Sequence, residues 1–395
     1  MPKNKELEII NIGDELLLGV RENDHLNYLG CFFADNGIPV SKCTVIRDNP
    51  DEIKASFQKA WGSSDIVIIT GGLGVTSRGN VKQVIADCLG KDLVLNNHTK
   101  EIIESKPGYA DSPLDGIELQ QCFIIEGSTT ISNDVGTSPG IFLQVANKSL
   151  LLLPGLYQEI EPMFEEKIIP LIKEHSLLTA REPFLQLRTI GKDELALTRL
   201  LSPEFKKNEG IKVKYLSHKG LIDIRLSPKN ETVNQEDLLK TGEICREILG
   251  EDFVCYEDVT LAELITSRLR SVGKTISIAE SCTGGSLSSE FTDIPGSSEV
   301  FTGGIVTYSN DAKIQLLDIP ESVLLQHDAV SAETAIAMAT GVAEKFSSDF
   351  GLSVTGFAGP SGGTEENPVG TIYMGFHSPK GEWSQKINIQ GSRIS

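Results

Sequence analysis

The chain has no run of about 18 apolar residues, so it offers no helical membrane span. Its opening residues, Met1-Pro2-Lys3-Asn4-Lys5-Glu6, lack the apolar stretch of a secretory signal, and a cytoplasmic protein is expected. Positive charge is in short supply: 36 Lys and Arg face 55 Asp and Glu, a net charge of −19. Electrostatic steering to nucleic acid is excluded on that balance. The seven cysteines include no Cys-x-x-Cys pair and their total is odd, which argues against a disulfide or zinc framework and for reduced thiols. A length of 395 residues exceeds one ordinary core, so two or three domains are expected.

What the chain does have is a strand that runs into a hydroxyl. Thr275 to Ala279 alternates with β period and breaks at Glu280-Ser281-Cys282-Thr283-Gly284-Gly285, a segment able to continue directly as a helix. A helix N-terminus leaves backbone N–H groups unpaired, which suits a phosphate or a developing oxyanion. Ser281 is then either a nucleophile or a plain N-cap. Two later segments, Phe301–Lys313 and Ser353–Gly363, are also apolar strands ending in small and polar residues. Parallel strands gather such ends on one edge, where ligands bind.

Taken together, Ala279–Gly285, Tyr308-Ser309-Asn310-x-Ala312-Lys313, Val330-Ser331 and Thr355-Gly356-x-Ala358-Gly359-Pro360 resemble the CinA family. Its carboxy-terminal domain is the PncC-type nicotinamide mononucleotide (NMN) amidohydrolase. The resemblance implies an α/β domain over residues 257–395 and no cofactor. Ser281 needs a base, and no histidine stands in any of these matching motifs. Lys313 is the candidate, as in other Ser–Lys hydrolases, provided that its pocket keeps it neutral. Tyr308 either orients Lys313, donates to the oxyanion or packs on the core. Backbone N–H groups of Cys282, Thr283 and Gly284 are the expected oxyanion donors. Asn310, Thr355, Gly359, Gly362 and Arg393 complete the expected substrate contacts. Cys282 itself reads as a small neighbour of the nucleophile, and His327 as structural.

The amino-terminal part gives a second glycine-rich loop. Asp65–Thr70 is an apolar run without alternation, as in a parallel strand covered on both faces, and it enters Gly71-Gly72-Leu73-Gly74-Val75-Thr76 before a helix at Val81–Leu89. This loop fits neither the P-loop nor the dinucleotide fingerprint. It reads equally as a phosphate cradle or a tight turn. With Gly13–Gly19, Gly136–Gly140 and Leu153-Pro154-Gly155, residues 1–175 resemble the family's amino-terminal domain, a three-layer α/β fold of the MogA and MoeA type. That resemblance implies a site at Glu15, Gly71, Gly72, Gly74, Thr76, Arg78 and Gly140, and a metal-dependent ADP-ribose pyrophosphatase activity. Where the family carries an aspartate pair, this chain has Arg78 and Gly79. Losing two oxygen ligands and gaining a cation weakens the expectation of a divalent metal, leaving Asp14, Glu15 and Asp134 as carboxylates. Arg78 could instead meet a phosphate directly.

Residues 176–256 read as a small α+β connecting domain, KH-like by the same resemblance. No Gly-x-x-Gly loop is present there, so RNA is not the expected partner, and a spacer or dimer surface is. His218 reads as a turn residue. The resemblance also implies a homodimer, and a final basic helix that the sequence does not show after Gly391-Ser392-Arg393-Ile394-Ser395; lower stability than in relatives with that helix is expected.

Overall fold

The computed structural model describes residues 5–74, 80–106, 114, 116–178, 183–218, 220–230 and 232–389. Contacts divide the chain into two compact units, one of Met1–Leu185, Asp193–Leu216 and Ile224–Gly250, the other of Gln186–Lys192, Ser217–Asp223 and Glu251–Ser395. Among the described residues no helix is long and apolar enough to cross a membrane.

The first unit is built on a six-stranded sheet in the order Val40–Ile46, Leu7–Ile12, Ile66–Thr70, Lys148–Leu153, Gly140–Val145 and Thr129–Ile131. Its first four strands are parallel, and Gly140–Val145 runs antiparallel to both of its neighbours. The run Ile66–Thr70 is buried throughout, because alternate side chains of the central strands feed two separate cores. Ile10, Ile12, Val67 and Ile69 pack with Phe57, Val81 and Ile85 on one face. Leu7, Ile9, Ile66 and Ile68 pack with Leu29, Phe33 and Phe164 on the other. Helices on both faces of a mostly parallel sheet give the three-layer α/β architecture.

The second unit holds a five-stranded sheet in the order Phe301–Val306, Ile276–Glu280, Phe350–Gly356, Thr371–Ser378 and Gly381–Asn388. The first three strands are parallel, and their registers set Glu280 beside Val306 and Val354. Three carboxyl ends therefore meet on one edge. The last two strands form an antiparallel hairpin at the other side of the sheet, so the sheet is less uniformly parallel than expected. Helix Ala332–Phe346 starts from Ser331, whose hydroxyl accepts the Thr334 N–H as an N-cap. It lies directly on the sheet, close enough that a Cβ on Gly375 would meet the Ala335 carbonyl at 2.1 Å.

Two local expectations change. The helix after Ser281 does not start there: Ser286–Thr292 is the helix, preceded by a turn in which Gly284 and Gly285 take positive φ. His218 closes the strand Ile211–His218 rather than sitting in a turn, and its Nε2 lies 2.8 Å from Asp223 Oδ2. Asp223 is buried and held by Arg188 through Nε and Nη2 at 2.8 and 2.7 Å.

Candidate active site

At the edge where the three parallel strands end lies a pocket of about 310 Å³ whose wall includes Ser281, Cys282, Tyr308, Lys313, Thr355 and Gly359. Its polar groups come from the chain just past the strand ends. Ser281 directly succeeds Ile276–Glu280, and its N–H is fixed to the Val354 carbonyl at 2.9 Å. Thr307 directly succeeds Phe301–Val306 and donates its N–H to the Glu280 carbonyl at 2.7 Å. Lys313 comes from helix Asn310–Leu317, whose N-cap Ser309 accepts the Ala312 N–H.

Lys313 is the polar centre of this pocket. It is 1% exposed and its Nζ donates to Ser281 Oγ at 3.1 Å and to the Thr307 carbonyl at 2.7 Å. Burial lowers its pKa to about 8, because a desolvated ammonium is disfavoured. About a tenth is therefore the free amine at pH 7, the form a general base requires. Ser281 is buried as well. The two residues, 32 positions apart, meet because the register of the parallel strands brings the turn after one beside the helix after the next. Tyr308 stands in the same wall but is 66% exposed. It is a rim residue, which removes the reading that packs it on the core.

Glu280, the last residue of the strand, is a participant that sequence reasoning missed. It is 0% exposed and turns away from the pocket into the backbone beyond Ser281. Its Oε2 accepts the N–H groups of Gly285 and Leu287 at 2.9 and 3.1 Å, and its Oε1 accepts the N–H and hydroxyl of Ser288 at 2.8 and 2.6 Å. Burial pushes the carboxyl's pKa up, but these hydrogen bonds, led by the Ser288 hydroxyl, outweigh it and hold the group below the usual glutamate value. The helix N-terminus expected to receive a phosphate or oxyanion is thus filled by the protein's own carboxylate. A glutamate directly before the serine, with a second serine seven residues on, was the available signal.

The other expected contacts divide. Thr355 and Gly359 line the pocket, and the Thr355 hydroxyl is spent on the Ala329 carbonyl at 2.7 Å. Gly284 points its N–H at the Ser281 carbonyl, 3.2 Å away, so it is not an oxyanion donor. Thr283, Asn310 and Gly362 stand outside the pocket wall. Arg393 lies outside the described residues.

In the first unit, Gly72 and Gly74 border a cavity of about 740 Å³ together with Val81, Lys82 and Gln121. Gly71 does not border it and is required for packing: a Cβ there would meet the Ile12 carbonyl oxygen at 2.1 Å. Gly140 is likewise a packing residue, buried in its strand with Met163 Cε 2.9 Å from where a Cβ would stand. Thr76 and Arg78 lie outside the described residues. Lys82, which no sequence motif singles out, has its ammonium on the carbonyls of Gln120, Gln121 and Phe123 at 2.7, 3.3 and 2.8 Å, and burial lowers its pKa to about 8. The remaining carboxylates do not converge. Glu15 lies 3.9 Å from Arg21, and Asp134 pairs with Lys167 at 2.5 Å. Among the described residues no three His, Cys, Asp or Glu gather to hold a metal ion.

Residues 258–395 match the family model described as the CinA C-terminal domain, and residues 8–174 match the one described as "Probable molybdopterin binding domain". A CinA-like protein of Dictyoglomus turgidum is 36% identical over 389 residues, covering 98% of this chain and 94% of its own. One of Dictyoglomus thermophilum is 38% identical over 393 residues, with the same 98% and 94%. Among solved structures, the CinA protein of Thermoplasma acidophilum, titled as having unknown function, is 31% identical and covers 44% of this chain and 98% of its own, with a TM-score of 0.40. On the strength of relatives that match it along nearly its whole length, the chain belongs to the CinA family.

Proposed function

We propose that the second unit is a nicotinamide-nucleotide amidohydrolase working through a Ser–Lys pair, converting NMN and water to nicotinate mononucleotide and ammonia. The observation that carries this reading is the 3.1 Å approach of a buried Lys313 to Ser281 Oγ inside a pocket. Neutral Lys313 accepts the Ser281 proton as Oγ attacks the carboxamide carbon. The same proton passes to the departing nitrogen, and ammonia leaves an acyl-serine ester. Lys313 then takes a proton from the water that attacks the ester and returns it to Ser281 Oγ as the ester bond breaks, restoring the free amine and the hydroxyl. Tyr308 at the rim is the candidate donor to the oxyanion. No step calls for a metal ion.

The test is ammonia and nicotinate mononucleotide release from NMN with chelator present. Turnover that survives the chelator and falls about 10³-fold or more in Ser281→Ala is the expected result. A folded chain that releases no ammonia sinks the reading. For the first unit we propose binding of a nucleotide such as ADP-ribose at the cavity beside Gly72 and Gly74, with pyrophosphatase activity the weaker alternative because Arg78 and Gly79 stand where the family carries an aspartate pair and no carboxylate set gathers among the described residues. ADP-ribose cleavage on adding Mg²⁺ would reverse that order. The resemblance to the CinA family extends the proposal to a homodimer in pyridine-nucleotide salvage, and light scattering on the purified chain checks the dimer.

A further inference from the structure

We infer that Glu280 is the positioning residue of this site, an internal anion that fixes the turn from Ser281 to Ser288 and thereby holds Ser281 Oγ against Lys313. The inference rests on the Ser–Lys reading above and adds to it the residue that makes the pair. A lone serine at the end of a strand has no reason to face a lysine on another element. Three backbone N–H groups and one hydroxyl from the residues after Ser281 all converge on the two oxygens of one fully buried carboxylate. The chain therefore has to loop back over Glu280 immediately after Ser281, in a turn that needs the positive φ of Gly284 and Gly285. Glu280 is also tied from the other side, since its own carbonyl accepts the Thr307 N–H. Thr307 in turn offers its carbonyl to Lys313 Nζ. One residue thus sets the turn that carries the nucleophile through its side chain, and the strand end that carries the base's acceptor through its backbone.

An ionised carboxylate suits this task better than an amide would. It is acceptor-only on both oxygens and meets four donors. Glutamine keeps the shape but turns an N–H₂ toward one pair of those donors, leaving a donor facing donors in a buried site. The effect is a displaced turn rather than an empty cavity.

The test compares Glu280→Gln and Ser288→Ala with the wild-type chain in two assays. The first is NMN turnover. The second is the rate at which a fluorophosphonate labels Ser281, which reads nucleophilicity without depending on the natural substrate. Expected for Glu280→Gln is a fall of about 100-fold or more in both kcat and labelling rate, with KM within about three-fold of wild type. Ser288→Ala, which removes one of the four donors, should fold like wild type and lose about three- to ten-fold in labelling. It decides the matter if Glu280→Gln fails to fold. Labelling of wild type without NMN turnover, lost in the variants, would sink the amidohydrolase reading and leave the positioning role standing. Variants labelled at the wild-type rate, or a wild type that is not labelled at all, overturn the inference.

Discussion

Lys313 shows how burial alone prepares a side chain for work. A fall in pKa from 10.5 to about 8 corresponds to ~3 kcal/mol by which the folded state disfavours the ammonium at neutral pH. Lys313→Met should therefore abolish turnover and at the same time stabilise the fold at pH 7 by ~1–2 kcal/mol, once the orphaned Thr307 carbonyl is allowed for. Urea melts of the two chains check this. The sign fixes a pH window as well. The folded chain releases this proton at about 8 and the unfolded chain only near 10.5, so wild-type stability gains from rising pH between those values and the variant's advantage shrinks there. Turnover tracks the free amine, and kcat/KM should climb with pH through a midpoint at about 8 toward a plateau above about pH 9, about ten-fold higher than at pH 7. A profile that is flat from pH 6 to 9 would argue that Lys313 is not the base.

At the scale of elements, the closeness of helix Ala332–Phe346 to the sheet is the constraint that keeps the pocket edge in place. Ser353 donates to the Ala335 carbonyl at 2.5 Å, and Gly375 lets the same turn of helix touch the strand backbone. Gly375→Ala pushes a methyl into a backbone oxygen that has no room to retreat, so it should destabilise by ~3 kcal/mol or more, read as a lowered thermal midpoint. These elements are legible in the sequence to differing degrees. The all-buried run Ile66–Thr70 and the strand Ile276–Glu280 announce themselves, because apolar content and period survive any tertiary context. The strand Gly381–Asn388 does not: it is a largely exposed edge strand, and hydrophobic patterning carries no signal where nothing is buried. The turn after Ser281 passes for helix because Gly284 and Gly285 look like tolerated interruptions until Glu280 is seen to claim the N–H groups beyond them. Ser281 and Lys313 can be named from sequence as chemistry, yet their approach depends on strand register, which no local pattern encodes.

For the whole molecule, the surplus of acid sets the conditions under which an anionic nucleotide arrives. A net charge of −19 repels a phosphate-bearing substrate at long range, and about 200 mM salt shortens that reach to roughly 7 Å. Raising ionic strength from about 20 to about 200 mM should increase kcat/KM for NMN by roughly two-fold, the reverse of what a basic nucleotide-binding protein displays. A decrease with salt would mean that a local cationic patch, rather than the overall field, governs capture.

The two depressed lysines differ in what surrounds the nitrogen once its proton has gone. Lys82 is ringed by three carbonyl oxygens, which can only accept hydrogen bonds and so give its lone pair nothing to act on. Lys313 has one carbonyl and one hydroxyl, and the hydroxyl can turn its hydrogen toward the amine. Burial lowers both pKa values to about 8, and the count of oxygens that carry a proton makes only one of them a reagent.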